Sequence, residues 1–297
     1  MARLAHQALL ISATLALSTP HLHAQASGES AVTVRADSLS VVDSLTGRSG
    51  KLLARLVSAA RGGPIRVLQQ LFGDSAASRP GVYTASAASG PFSMITMLPF
   101  RSKQGTRLGA YHMGRWPAER TGRGTVPEGF IEITPANQHT RVSQHFMLRD
   151  FLTHDQQAVW PKYLVLSEAL VDKLELIISD LQARGVTVDR VRVMSGFRTP
   201  QYNAKGVRRG GRASDSRHQY GDAADIFIDN DGNERMDDLD GNGRVDLRDT
   251  RVILDAVERV ERAHPELAGG AGLYKSTRSH GPFVHVDVRG TRARWGV

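Results

Sequence analysis

A histidine and a carboxylate at close spacing are the first residues in this chain that could do chemistry together. The stretch Ser216-Arg-His-Gln-Tyr-Gly-Asp-Ala-Ala-Asp225 supplies His218 and Asp225, with Gly221 between them to permit a tight backbone path. The small side chains of Ala223 and Ala224 let the segment carrying Asp225 pack closely. Further along, Phe283-Val-His-Val-Asp287 alternates as a strand does, so Phe283, His285 and Asp287 share one face. Two imidazoles and one carboxylate leave a fourth position for water, which a catalytic zinc site requires. Zinc so held polarises a carbonyl and brings the pKa of its water to ~7. His and Asp are common residues, and the His218–Asp225 spacing equally suits a hydrogen-bonded surface pair.

A second constellation is acidic. In Asp238-Leu-Asp240-Gly-Asn242-Gly-Arg244-Val-Asp246-Leu-Arg-Asp249, oxygen-bearing side chains fall at positions one, three, five, nine and twelve. Gly243 takes position six, where the loop turns sharply, and Arg244 takes position seven, where a backbone carbonyl serves. This is the spacing of an EF-hand-type calcium loop, with Asp replacing the usual bidentate Glu at twelve. An overlapping run, Asp229-Asn-Asp231-Gly-Asn233-Glu-Arg235-Met-Asp237, repeats the first nine positions and would share Asp240 as its last ligand. Glu234 stands there where Gly belongs. For both runs the alternative is a solvated acidic loop.

These residues need elements to position them. Leu170, Leu174, Ile177, Ile178 and Leu181 form one apolar stripe and predict a helix over about 167–182. Val191 to Met194 reads as a buried strand. Val252, Ile253, Ala256, Val257 and Val260 predict a helix over 248–263, and a closing strand runs from Phe283 to Val288. Helices and strands mix without βαβ alternation, so the expected class is α+β, a small antiparallel sheet with flanking helices. This domain is expected over 136–297, with the acidic insertion at 229–249. Short alternating stretches over 81–135 suggest a small β module before it. Residues 27–80 read as a weakly structured or helical lead-in, in which Leu53, Leu56, Val57, Ile65, Leu68 and Leu71 keep helical spacing around Gly62-Gly63-Pro64.

The first 26 residues have the marks of a secretory signal peptide. Arg3 lies in a start without acidic residues, Ala8 to Leu17 is apolar, and small residues follow at Ala24 and Ala26. The apolar run is too short to span a bilayer, so the mature chain is expected to be exported without a transmembrane segment, to the periplasm or cell envelope. There are no cysteines, which excludes disulfides, thiolate metal sites and a cysteine-linked lipid anchor. The formal charge of +8 favours polyanionic surroundings. Export makes wall polymers the expected ones rather than nucleic acid.

The combination Ser-x-His-x-x-Gly-x-Ala-x-Asp followed by a His-Val-Asp strand resembles the zinc metallopeptidases related to D-Ala-D-Ala carboxypeptidases, the VanY-type group, whose wider superfamily includes lysostaphin-type enzymes and the hedgehog domain. The resemblance extends from about Val142 to the C-terminus. It implies that His218, Asp225 and His285 are zinc ligands. It also implies that Arg198, within Ser195-Gly-Phe-Arg-Thr-Pro, holds a substrate carboxylate or anchors the site, and that Ser216 bonds the substrate backbone or orients His218. Some branches carry an acidic base three places before the last ligand, where this chain has Pro282. His280 resembles the base of the carboxypeptidase branch, and Asp287 competes for that role. The implied function is hydrolysis of amide bonds in peptidoglycan stems, with catalytic zinc and structural calcium. The rival from another class is a non-catalytic wall-binding module with a structural zinc.

Overall fold

The computed structural model describes residues 22–26, 31–34, 46–58, 64–87, 90–209 and 211–296. The apolar run of the expected signal peptide lies outside the described residues. Toward the N-terminus, Leu22–Ala26 (β1), Ala31–Val34 (β2), Ala54–Val57 (β3), Gly81–Ala87 (β4) and Gly90–Thr96 (β5) form a sheet in the order β2-β1-β4-β5-β3. The helices Pro64–Phe72 (α1) and Asp74–Ser78 (α2) accompany it. Leu68, Leu71 and Phe72 bury against Tyr83, Phe92 and Met94 in a small core of their own. Leu56 and Val57 therefore sit on a strand, and the helical period begins only at Pro64, whose fixed φ suits a first helical position.

Leu98–Pro99 (β6), the hairpin of Arg107–Leu108 (β7) and Tyr111–His112 (β8), Gly129–Ile133 (β9) and Lys162–Leu164 (β10) follow. Strands β6, β9 and β10 make a three-stranded sheet. Phe130, Ile131 and Ile133 bury in the main core rather than with the β4–β5 hairpin.

That main core lies under the second half of the chain. Val191–Ser195 (β11), Ala223–Ile228 (β12), Gly270–Tyr274 (β13), Phe283–Asp287 (β14) and Ala293–Trp295 (β15) form a sheet ordered β11-β12-β14-β13-β15. Its pairs are antiparallel except β13 with β15. With Pro117–Thr121 as α3, the longer helices are Glu168–Ala183 (α4), Pro200–Arg208 (α5) and Leu247–Ala263 (α6). Ile226 and Ile228 of β12 meet Leu174, Ile177, Ile178 and Leu181 of α4 and Ile253 of α6. Each such side chain contributes roughly 1.5–3 kcal/mol by leaving water. The mixed α+β class expected from the pattern is the class observed. No helix among the described residues is long and apolar enough to cross a membrane.

Alternation then decides the sheet's other face. If Ile226 and Ile228 point to the helices, Asp225 and Phe227 point away, and so do Phe283, His285 and Asp287 opposite them. The two faces are tied together by Lys173 of α4, which is 0% exposed. Its Nζ donates to Glu261 Oε1 of α6 at 2.7 Å and to the Asp287 carbonyl at 2.8 Å. Glu261 also receives Gly269 N at 3.1 Å and Arg294 at 2.5 Å. Burial pushes the Lys173 ammonium down in pKa, while Glu261 works to keep it charged.

Replacing one partner of such a buried pair strands the other. Lys173→Met is expected to lower stability by about 3–5 kcal/mol in urea unfolding. A variant as stable as the parent would show that Arg294 alone satisfies Glu261.

Candidate metal centre

The turn Ser195-Gly-Phe-Arg-Thr-Pro builds one side of the site, and each residue has a local task. Gly196 lies so close to Phe151 that a Cβ would stand 2.6 Å from its Cα. Phe197 is buried, and its amide donates to the Phe151 carbonyl at 2.9 Å. Thr199 caps α5 by accepting from Tyr202 N at 3.1 Å, and Pro200 opens the helix. Arg198 Nε donates to Ser195 Oγ at 2.8 Å, and its Nη2 donates to Asp225 Oδ2.

His218 comes from the short 3-10 turn Arg217–Tyr220. Gly221 ends that turn at φ 67°, and a Cβ there would stand 2.1 Å from the Val165 carbonyl oxygen. The chain can then enter β12 and deliver Asp225. His218 Nδ1 donates to the Gly196 carbonyl at 2.7 Å, which leaves Nε2 facing the centre.

Asp225 and His285 are direct partners in the β12–β14 register. His285 Nδ1 lies 2.9 Å from Asp225 Oδ1 and 3.2 Å from His218 Nε2, while His218 Nε2 lies 3.2 Å from Asp225 Oδ1. Three metal-donor atoms thus converge, all on buried residues. Ligands of a tetrahedral zinc are on the order of 3.3 Å apart, so the donor set fits that ion in both type and spacing.

The second atoms of the donors are occupied. His285 Nε2 bonds Asp287 Oδ2 at 3.0 Å, fixing the ring, and Asp287 in turn accepts from Gly270 N at 2.7 Å and from Arg289. Burial disfavours a charged Asp225, but the His218 and His285 rings and Arg198 outweigh it and hold the carboxyl well below its usual range. Burial pushes His218 down. It would do the same to His285, but the bonds to Asp225 and Asp287 raise it. Asp287 likewise ionises far below the usual range, despite burial, because His285 and Arg289 stabilise its charge.

Of the residues singled out from sequence, His218, Asp225, His285, Asp287 and Arg198 come together here. Ser216 is half-buried one residue before the 3-10 turn, and its carbonyl accepts from Gln219 N at 3.0 Å. His280 lies on the turn leading into β14. Its Nδ1 donates to the Gly281 carbonyl at 2.8 Å, and its ring packs edge-on to Phe283. It lines a groove of about 230 Å³ together with Met194, Phe227, Met236 and Pro282. His145 Nδ1 pairs with Glu175 Oε2 of α4 at 2.7 Å, and the ring lines a larger neighbouring groove of about 740 Å³. His154, which has no motif around it, borders both grooves and donates to the Met194 carbonyl at 2.9 Å.

Sequence reading missed Trp295. It sits on β15, with its indole centroid 5.2 Å from the His285 ring and its Nε1 donating to Tyr274 Oη at 2.9 Å. The available signal was the pair Gly270-Ala-Gly272: both glycines face the site, and their missing side chains make room for Arg289 and the indole.

The acidic insertion gathers two carboxylate groups, Asp238 with Asp240 and Asp249, and Asp229 with Asp231 and Asp237. Asp240 therefore groups within the 238–249 loop and does not close the 229–237 run. Asp246 caps α6 by accepting from Arg248 N at 2.7 Å, and Asp249 reaches back to Asp246 N at 2.7 Å as a capping box. Asn242 bonds Asp240, Asn233 Nδ2 bonds Asp231 at 2.7 Å, and Arg244 and Arg235 are exposed. Glu234 adopts φ 64°, as Gly243 does at 80°, so the sixth position of both loops is left-handed.

No family model matches the chain, and no curated protein does. Among solved structures, the L-Ala D-Glu endopeptidase ChiX of Serratia marcescens is similar at 21% identity, over 42% of this chain and 82% of that one, with a TM-score of 0.28. A likeness this slight has no bearing on the chemistry.

The indole's seat is directly testable. A Cβ on Gly272 would stand 2.1 Å from Trp295 Nε1. Gly272→Ala is expected to displace the indole, changing its near-UV circular dichroism, and to cost about 1–3 kcal/mol as overpacking does. An unchanged aromatic spectrum would show that β15 shifts without cost.

Proposed function

We propose that this chain is an exported zinc peptidase that hydrolyses amide bonds in the peptide stems of peptidoglycan. The observation that carries the reading is the convergence of His218 Nε2, Asp225 Oδ1 and His285 Nδ1 within 3.2 Å of one another. Each of these donors is also held from behind, by Gly196, Arg198 and Asp287 respectively. The choice of substrate rests on the motif resemblance to zinc D-Ala-D-Ala carboxypeptidases, and export rests on the N-terminal residues.

Bound at the triad, zinc supplies Lewis acidity, polarising a carbonyl and acidifying water. The protein's own residues do the rest. Asp287 fixes the tautomer and orientation of His285, the usual task of a carboxylate behind a ligating imidazole. Asp225 can offer Oδ1 because Arg198 holds Oδ2. In this reading Arg198 is a positioning residue, and Ser216 is kept as a contact for the substrate backbone.

His280 is the proposed base. In its neutral form the Nδ1 proton is committed to Gly281, so the lone pair sits on Nε2. That atom accepts a proton from water and returns it to the leaving amine. Asp287 is a poor competitor, because its carboxylate is already engaged by His285, Arg289 and Gly270.

The test is to incubate purified wall fragments with the protein and weigh the products. Release of terminal residues identifies a carboxypeptidase, and severed cross-links identify an endopeptidase. His285→Ala is expected to abolish both zinc content and activity; full zinc in that variant overturns the ligand assignment. His280→Ala is expected to keep zinc and lose turnover by ~10²–10⁴-fold. If Asp287→Ala instead shows that behaviour while His280→Ala is near neutral, the two roles are exchanged. Zinc retention by a chain inactive on every fragment favours a wall-binding module.

A further inference from the structure

β12 does not end its usefulness at the metal triad. Asp225 and Phe227 share one face of β12, and Asp229 follows directly on its last residue, Ile228, so a second carboxylate comes about 13 Å further along the chain. Asp229 is 0% exposed, and neither of its side-chain oxygens has a hydrogen-bond partner. The cations nearest its Oδ2 are Arg190 Nη1 at 3.9 Å and Arg192 Nε at 3.8 Å, both beyond bonding distance. Both arginine side chains are about half exposed, and Arg192 Nη2 already donates to Glu234 Oε1 at 3.0 Å. A buried carboxylate left in this state is strongly disfavoured unless something else meets its charge.

What meets it can be inferred from its neighbours. One oxygen each from Asp229, Asp231 and Asp237 lies within 4.8 Å of the others. Ligand oxygens around a calcium ion, bound at 2.3–2.6 Å, spread over the same span of up to about 5 Å. Two imidazoles and a carboxylate suit zinc at the triad; an all-oxygen cluster suits a hard dication instead.

We propose that Asp229, Asp231 and Asp237 bind a calcium-type divalent cation, and that this ion fixes the wall of the groove beside the triad. The chain between Asp231 and Asp237 is that wall: Glu234, Arg235 and Met236 line the groove together with His280 and Pro282. Asp237 is already pinned at its main chain, its amide donating to the Ile228 carbonyl at 2.9 Å, and its Oδ2 accepts from Asn230 N at 2.8 Å. The ion joins Asp231, which is bonded to Asn233 two residues on, to this fixed base. With the site filled, residues 232–236 are held at both ends; with it empty, Asp229 repels Asp231 and the wall loosens. The inference does not depend on the peptidase reading, because it concerns ion binding and loop order only.

The experiment uses the full zinc-loaded chain, freed of calcium on a chelating resin. Bound calcium per chain is measured by equilibrium dialysis, and amide hydrogen exchange is followed over residues 230–237. Calcium is expected to slow exchange there at least tenfold in the parent chain and in Asp238→Ala, which alters only the neighbouring loop. Asp229→Asn is expected to bind one ion fewer than the parent and to lose that protection. Asp231→Ala, an exposed change that leaves the core intact, should do the same. Wild-type calcium content in both variants, or protection of 230–237 that survives both, overturns the proposal. Magnesium at the same concentration should leave exchange unchanged, and equal protection by magnesium overturns the assignment to calcium.

Discussion

Across one antiparallel register pair, Asp225 faces His285, and both side chains leave the same side of the sheet. A carboxylate buried there is expensive unless several partners meet it. Much of the surrounding structure can be understood as supplying those partners. Arg198 arrives from a turn that only glycine could make against Phe151, and His218 from a turn that only glycine could end against Val165. The cost of burying one charge therefore dictates the residue types of two separate loops.

Support for the pair reaches through the sheet to the helices behind it. Lys173 grips the main chain of Asp287, and the side chain of Asp287 grips His285. The interior ammonium on α4 thus bears on the angle of an imidazole on the opposite face. Glu261 and Arg294 close this network, which links α4, α6 and β15.

Much of this was legible in the sequence because it is periodic or local. The stripe from Leu170 to Leu181 gave α4 to within a residue or so, and the alternation of Phe283, His285 and Asp287 gave their common face. The acidic spacing likewise marked carboxylates that the fold gathers, Asp240 with Asp238 and Asp249 among them, while Asp246 caps a helix. What stayed hidden has no period. Trp295 sits on a three-residue edge strand, too short for a pattern, and its neighbour across the sheet is Gly272, recorded in the sequence only as a missing side chain. The strand at Ala54–Val57 was masked by leucines that happen to keep helical spacing with Leu68 and Leu71, because four residues cannot distinguish the two periods.

The strict alternation along β12 also bears on how such a chain can change length over evolution. Adding or deleting one residue between Ala224 and Ile228 would exchange the two faces downstream of the change, turning acidic side chains toward α4 and isoleucines toward the groove. Beyond Asp229 no such penalty applies, since a loop there has no face to keep. A change of length is thus best tolerated at the strand's end, where the acidic segment 229–249 begins.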